Sequence, residues 1–398
     1  MGTPETYGAQ GLNIKNSSMM VRMIAWVLFL ATVSVAAQES FENKDLKIDS
    51  IMRSYLVHKG KKPVHNFLLH SKNENSGYEV FKGVGIVGRN DTPIEADYQF
   101  KTASITKTFV SVITLQLVEE GKLAFDDRVQ DYLKDLDFLD YDDFMYHNDT
   151  AYAPEITLEQ LLRHTSGVAD IFTDKETRFV LRVLTHKKKE YDEQDVVDLY
   201  YKYKLHKMGL FRPGQGYHYS DMNYMLLGFV IEQVTGKSLP ENIRQRILEP
   251  LKMENTYFEY YEPARGKLKQ IDTYLNRLNV TKKVNTSYEW AGGGLVSNTR
   301  ELSTFIEAVF KNRFFGKEML AKMIDMGPSQ EFGKDSGMGI FLYKIKGREF
   351  YGHGGFYGSI MLYSPEQKIS FTVNIGQAEA RLDPYQLVDA LLAVIERE

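Results

Sequence analysis

The period of the apolar positions divides the chain into three stretches. Near the start, Leu46, Ile48, Ile51, Met52, Tyr55 and Leu56 recur at helical spacing and predict an amphipathic helix over Asp45 to His58. Two strand-like runs follow, Phe67–His70 and Tyr78–Val87, separated by the turn-rich Asn73-Glu74-Asn75-Ser76-Gly77. Ser104 to Glu120 reads as a helix. Its residues Ile105, Phe109, Val112, Ile113, Leu115, Leu117 and Val118 make it apolar nearly all round, as a buried central helix would be. Gly121 is placed to end it.

From Asp127 to about Asn312 helical spacing dominates. It is clearest over Thr157–His164, Asp195–Lys204, Asp221–Thr235 closed by Gly236, and Glu301–Phe310. After Gly333 the pattern turns to strands, at Met338–Ile345, Glu349–His353, Ser359–Ser364 and Ile369–Ile375, and a last helix runs from Asp383 to about Glu396. No internal repeat interrupts this order. Strands at both ends of a helical middle predict an α/β (α+β) fold. One sheet is built from both chain ends (about 45–103 and 333–398), with terminal helices over one face and a helical subdomain (about 104–332) inserted between. The seam between the two parts is the expected place for an active site.

Composition narrows the chemistry. The 398 residues are 43% hydrophobic with a net charge of -4, an ordinary globular balance that leaves no electrostatic footprint for nucleic acid. Lys187, Lys188 and Lys189 are followed at once by Glu190, Asp192 and Glu193, so the basic cluster reads as a solvated helix end or loop. The absence of cysteine excludes disulfides, thiolate metal sites and a cysteine nucleophile. The histidines show no metal-ligand spacing, and neither a metal nor another cofactor is expected.

Residues 19–38 read as a secretory signal: Arg22 as positive flank, Met23 to Val35 as apolar stretch, and Val35-Ala36-Ala37 as small-residue cleavage site. A signal peptide over 1–37 and a single mature domain over 38–398 are the expectation, with a secreted or periplasmic product. An uncleaved anchor is the alternative, and through it alone would the protein meet a membrane. The polar residues 1–18 are unusual ahead of a signal, and Met19 or Met20 is an alternative start.

Ser104 and Lys107 form the chain's single Ser-x-x-Lys, at the junction of a strand-like run and the central helix. Three residues apart on a helix, the two side chains share a face, and an amine beside a hydroxyl is one way to make serine nucleophilic. Two further segments carry chemistry. Tyr219-Ser220-Asp221 opens a helix, and His353-Gly354-Gly355 ends a strand whose glycines would admit a close backbone approach.

In this order the three motifs resemble the serine β-lactamase and penicillin-binding-protein family. The likeness is greatest to the branch with class C β-lactamases, D-Ala-D-Ala carboxypeptidases, esterases and D-aminopeptidases. Leu161 to Gly167, the run around Tyr224 to Gly236, Leu248-Glu249-Pro250-Leu251 and Gly292 to Ser297 look like the family too. The resemblance implies an acyl-enzyme on Ser104. It implies an oxyanion hole from the backbone N–H groups of Ser104 and Phe356, and proton transfer by Lys107 and Tyr219 as one coupled unit. It places Asp221, His353, Gly354, Gly355 and Phe356 against a small-molecule or peptide substrate.

Two positions depart from the family pattern. Asp221 stands where asparagine is usual; a carboxylate accepts but cannot donate, and it would pair with Lys107 or cap the helix. Gly354 and Phe356 stand where hydroxyl residues commonly hold a substrate carboxylate, and Phe356 offers an apolar wall instead. Esterase- or D-amino-acid-peptidase-like hydrolysis is therefore favoured over a class C-like β-lactamase or a D-Ala-D-Ala carboxypeptidase. A non-catalytic sensor or scaffold that binds acyl-peptides is the alternative from another class. His164 near Ser166 reads as a structural hydrogen-bonder, since no Gly-x-Ser-x-Gly elbow accompanies it. The aromatic run Tyr257, Phe258, Tyr260 and Tyr261 reads as packing, or as the rim of the pocket.

Overall fold

The computed structural model describes residue 2 and residues 40–87, 92–267, 269–378, 380 and 383–396. The expected signal segment lies outside the described residues, apart from residue 2. Among the described residues no helix is long and apolar enough to cross a membrane.

Residues 40–54 are helical. The helix ends short of the expected His58 because Val57 and Val64 exchange backbone hydrogen bonds in a β-bridge (2.9 and 2.8 Å). Asn66–Asn73 and Glu79–Val87 form the expected hairpin, with Gly77 at φ 71° in its turn. Asn66–Asn73 also pairs antiparallel with Ile369–Asn374, so strands from both chain ends meet in the middle of one sheet. The seven strands run in the order Phe341–Ile345, Arg348–Gly355, Ser359–Ser364, Ile369–Asn374, Asn66–Asn73, Glu79–Val87, Thr92–Pro93. All neighbours in that order are antiparallel. The strand expected from Met338 starts only at Phe341. Residues 338 and 339 are drawn to the central helix, where the Ser111 hydroxyl donates to the Met338 carbonyl (2.7 Å) and Thr108 to that of Gly339 (2.8 Å).

The helix Pro384–Ile395 starts at Asp383, whose carboxylate accepts from the N–H groups of Tyr385 and Gln386. Its buried Leu387, Val388, Leu391 and Leu392 give it an apolar face. Arg348 on the sheet grips its outer side through Asp389 (2.9 Å) and Glu396 (3.0 Å). On the inserted part, Thr106–Glu119 is buried on nearly every face, as its pattern foretold, and Phe109 stacks on Phe305 at 3.7 Å between ring centroids. The helix Asp221–Thr235 has the expected bounds, with Gly236 left-handed (φ 65°) at its end.

Candidate functional site

Ser104 does not lie in the central helix itself. It sits in a 3-10 turn, Ala103–Ile105, just ahead of it, with Ala103 held at φ 47°. Few non-glycine residues adopt that conformation, and the surroundings enforce it here. Thr102 donates from its backbone N–H and from its hydroxyl to the Leu295 carbonyl (both 2.9 Å), and its own carbonyl accepts from the Ser359 hydroxyl (3.1 Å). The nucleophile turn is thus clamped between a short strand and the large sheet. In the first turn of a helix the Ser104 N–H has no intrahelical acceptor, and Phe356 follows the last residue of its strand.

Lys107, one turn on, is fully buried. Its ammonium has three acceptors: Asp221 Oδ1 (2.6 Å), the Gly292 carbonyl (2.7 Å) and Ser104 Oγ (3.2 Å). The Tyr219 hydroxyl is within hydrogen-bonding reach of Ser104, and Lys107 Nζ lies 5.1 Å from the Tyr219 ring centroid. Burial, then the negative charge of Asp221, pushes the Tyr219 phenol well above its ordinary value. A hydroxyl and an amine from one segment and a phenol from a distant one therefore come together.

Asp221 forms the expected pair with Lys107 but does not cap its helix. Ser220 is the N-cap residue, and the Asp221 N–H is accepted by Asp170 Oδ2 (2.6 Å). Asp170, which carried no signal in the sequence, is fully buried and also accepts from the N–H groups of Phe172 and Thr173. Burial, followed by the charge of Asp221, pushes its carboxyl up to about 7. His164 lies flat on Tyr219 (4.4 Å between centroids). Its Nδ1 faces the Ser220 N–H and the Asn223 amide, and burial holds its pKa well below the usual imidazole value. It orients the phenol and is no member of a triad with Ser166, whose hydroxyl donates to Asn223.

His353 is neutral: burial, then the Lys107 charge, lowers it to about 3. Its Nδ1–H can only donate to the Gly354 carbonyl (2.7 Å), which leaves Nε2 as a buried acceptor without a partner among the described residues. Gly354 has space at its Cα, with Tyr343 Oη 3.5 Å from where a Cβ would stand. Gly355 serves a different purpose from the expected substrate approach. A Cβ there would meet the Thr102 carbonyl oxygen at 2.1 Å, so this glycine lets the strand close on the nucleophile turn.

Two cavities meet at Ser104. One, of about 540 Å³, is lined by Tyr219, Lys334, Tyr343, His353 and Gly354. The other, of about 430 Å³, is mainly apolar, with Phe172, Phe179, Val183, Leu278 and Val284 on its walls. Phe356, 56% exposed, borders both. Part of the apolar wall comes from the helix Glu176–Thr185, which the sequence reading did not single out. The aromatic run from Tyr257 lies behind the site rather than on its rim. There Lys101 pairs with Glu259 and stands 5.4 Å from the Tyr260 ring centroid.

The Beta-lactamase family model matches residues 67–392. The chain belongs to the beta-lactamase family. Protein flp of Staphylococcus aureus (strain MW2) is 32% identical over 161 residues, 40% of this chain and 28% of that protein. Penicillin-binding protein 4* of Bacillus subtilis (strain 168) is 28% identical over 238 residues, 56% of this chain and 48% of that protein. The chain thus spans less than half the length of either curated relative. Among solved structures, a D-stereospecific amidohydrolase from Streptomyces sp. superposes with a TM-score of 0.71 at 24% identity, over 86% of this chain and 98% of that one. A D-amino acid amidase from Ochrobactrum anthropi SV3 does so with 0.71 at 22% identity, over 89% and 99%. At these identities the structures share the fold of this beta-lactamase family member.

Proposed function

We propose that this chain is an exported serine hydrolase that cleaves an amide or ester of an apolar acyl group through an acyl-enzyme on Ser104. The observation that carries the reading is Ser104 Oγ, in contact with Lys107 Nζ and Tyr219 and open to two cavities. In the first step Ser104 Oγ bonds to the substrate carbonyl carbon, and its proton passes to the Tyr219–Lys107–Asp221 unit. The N–H groups of Ser104 and Phe356 receive the oxyanion. The carbon–nitrogen or carbon–oxygen bond then breaks, and the proton returns to the leaving group. Water repeats the sequence on the ester, releasing the acid and restoring Ser104.

The apolar cavity suits the acyl part and the more polar one the leaving part. A neutral His353 and the lack of hydroxyls at Gly354 and Phe356 offer poor support for a substrate carboxylate, which weighs against carboxypeptidase and β-lactamase action. The amidases among the solved relatives support an amide or ester of this kind. Export rests on the pattern of residues 19–38. A fluorophosphonate probe tests the reaction: labelling that disappears in Ser104→Ala is expected. An unlabelled, folded wild type would assign the chain to the binding modules instead.

A further inference from the structure

Glu176, Asp221 and Glu289 bring three carboxyls to the mainly apolar cavity beside Ser104, Glu176 from the exposed side of its helix and Glu289 from the wall next to the nucleophile turn. Glu289 ends the 3-10 turn Ser287–Glu289, just ahead of the short helix Trp290–Gly293. A Cβ placed on Gly293 would lie 3.4 Å from Glu289 Oε2 and 3.5 Å from the carbonyl carbon of Ala103. The carboxyl and the nucleophile turn thus flank Gly293 on the wall of the same cavity. Its Oε1 accepts from the Tyr357 hydroxyl, while Oε2 has no hydrogen-bond partner among the described residues. The neighbouring cations are engaged elsewhere, Lys107 by Asp221 and Lys101 by Glu259 and Thr286.

A carboxyl in a mainly apolar cavity, with one oxygen free and its nearest cation, Lys101, bonded to Glu259 instead, complements a cationic ligand. We propose that Glu289 is a specificity determinant that holds the α-ammonium of substrates whose acyl part is an apolar amino acid with a free amino group. The proposal rests on the acyl-enzyme reading and supplies its substrate class. In such a substrate the ammonium and the side chain sit on the carbon next to the carbonyl that Ser104 attacks. Both must enter the space beside Ser104 where Glu289 and the apolar wall stand. Asp221 points the same way, because an acceptor replaces the donor amide usual at its position.

Burial pushes the Glu289 carboxyl up to about 8, against the opposing pull of Lys101 and Tyr357. The empty cavity thus holds it largely protonated at neutral pH, and an arriving ammonium ionises it and releases the proton. A rival role is open to the protonated acid, which could donate to an amide carbonyl. That role would favour N-acylated substrates, so the two have opposite consequences.

The test compares kcat/KM for D- and L-phenylalanine p-nitroanilide, their N-acetyl derivatives and 3-phenylpropionyl p-nitroanilide. The free amine is expected to lead both analogues by about 10-fold or more for one enantiomer, as a charged hydrogen bond allows, and Glu289→Gln should bring the ratio near one. Loss of folded protein cancels in such a ratio. Equal rates on the three substrates in wild type, or an unchanged ratio in the variant, overturn the proposal. If no anilide is cleaved and the fluorophosphonate does not react, the acyl-enzyme reading has failed instead. Calorimetry on Ser104→Ala then decides the subsite by itself. Phenylalaninamide should bind more tightly than 3-phenylpropionamide and release a proton at pH 7, whereas equal affinities overturn the assignment.

Discussion

Lys107 is held more closely by Asp221 than it holds Ser104: the ammonium is 2.6 Å from Asp221 Oδ1 and 3.2 Å from Ser104 Oγ. The contact that readies the nucleophile is the looser of the two. Asp221→Asn removes the one carboxylate bonded to the buried Lys107 ammonium among the described residues. Breaking one side of such a pair costs about 3 kcal/mol or more. The variant should unfold at distinctly lower denaturant, and its relative rates across a panel of esters should change. An unaltered midpoint and panel would show that the pair carries neither stability nor selectivity.

Tyr219 touches Ser104 with a phenol whose pKa burial and Asp221 hold far above neutrality. Its part in turnover is therefore to relay a proton rather than to wait as a phenolate. Tyr219→Phe should lower kcat by roughly 10²-fold or more, the usual size of general acid–base catalysis, with KM much less affected. Ser104→Ala should cost on the order of 10⁴-fold. Steady-state kinetics on one activated ester measures both.

Gly292 and Gly355 are the close-approach glycines of the site. A Cβ on Gly292 would stand 2.6 Å from Asp221 Oδ1, and one on Gly355 2.1 Å from the Thr102 carbonyl oxygen. Gly292→Ala should displace Asp221 and slow fluorophosphonate labelling more than it lowers the melting temperature. Gly355→Ala meets backbone, which cannot step aside, and should lose about 1–3 kcal/mol of stability as overpacked sites do.

Glu289 links stability to pH. Its folded value of about 8 lies above that of an unfolded glutamate near 4.5. The folded state thus keeps a proton that the unfolded state has lost between those values. The carboxyl's contribution is fully present below the unfolded value and drains away as pH rises towards 8, by at most about 1.4 kcal/mol per pH unit. Asp170, pushed up to about 7, acts in the same direction. Denaturation midpoints from pH 5 to 8 should fall with pH, and less steeply in Glu289→Gln. A parallel profile in the variant would count against a buried, protonated Glu289.

The parts of this site that could be read from the chain are those where one local signal served both fold and chemistry. Apolar periodicity and Gly236 bounded the helix behind Tyr219, and Ser104 and Lys107 declared themselves by spacing. The 3-10 turn at Ser104 could not be foreseen, because alanine at position 103 gives no hint of φ 47°, which contacts with Leu295 and Ser359 impose. Asp170 and Glu289 were equally silent. Neither lies in a motif, and each comes close to Asp221 only through packing of segments far apart in sequence. The run Gly292 to Ser297 was noticed for its likeness to the family, yet its use is steric: Gly292 makes room for Asp221.

The hydrogen bond from Ser359 to Thr102 bears on how the protein comes into being. During synthesis Ser104 and Lys107 leave the ribosome early, but the strand that carries Ser359 emerges more than two hundred residues later. Until then the serine has no formed pocket and cannot turn over an ester. A ribosome-bound or truncated chain ending before residue 359 should therefore be inert, and labelling of Ser104 should arise only once the strand Ser359–Ser364 has been made.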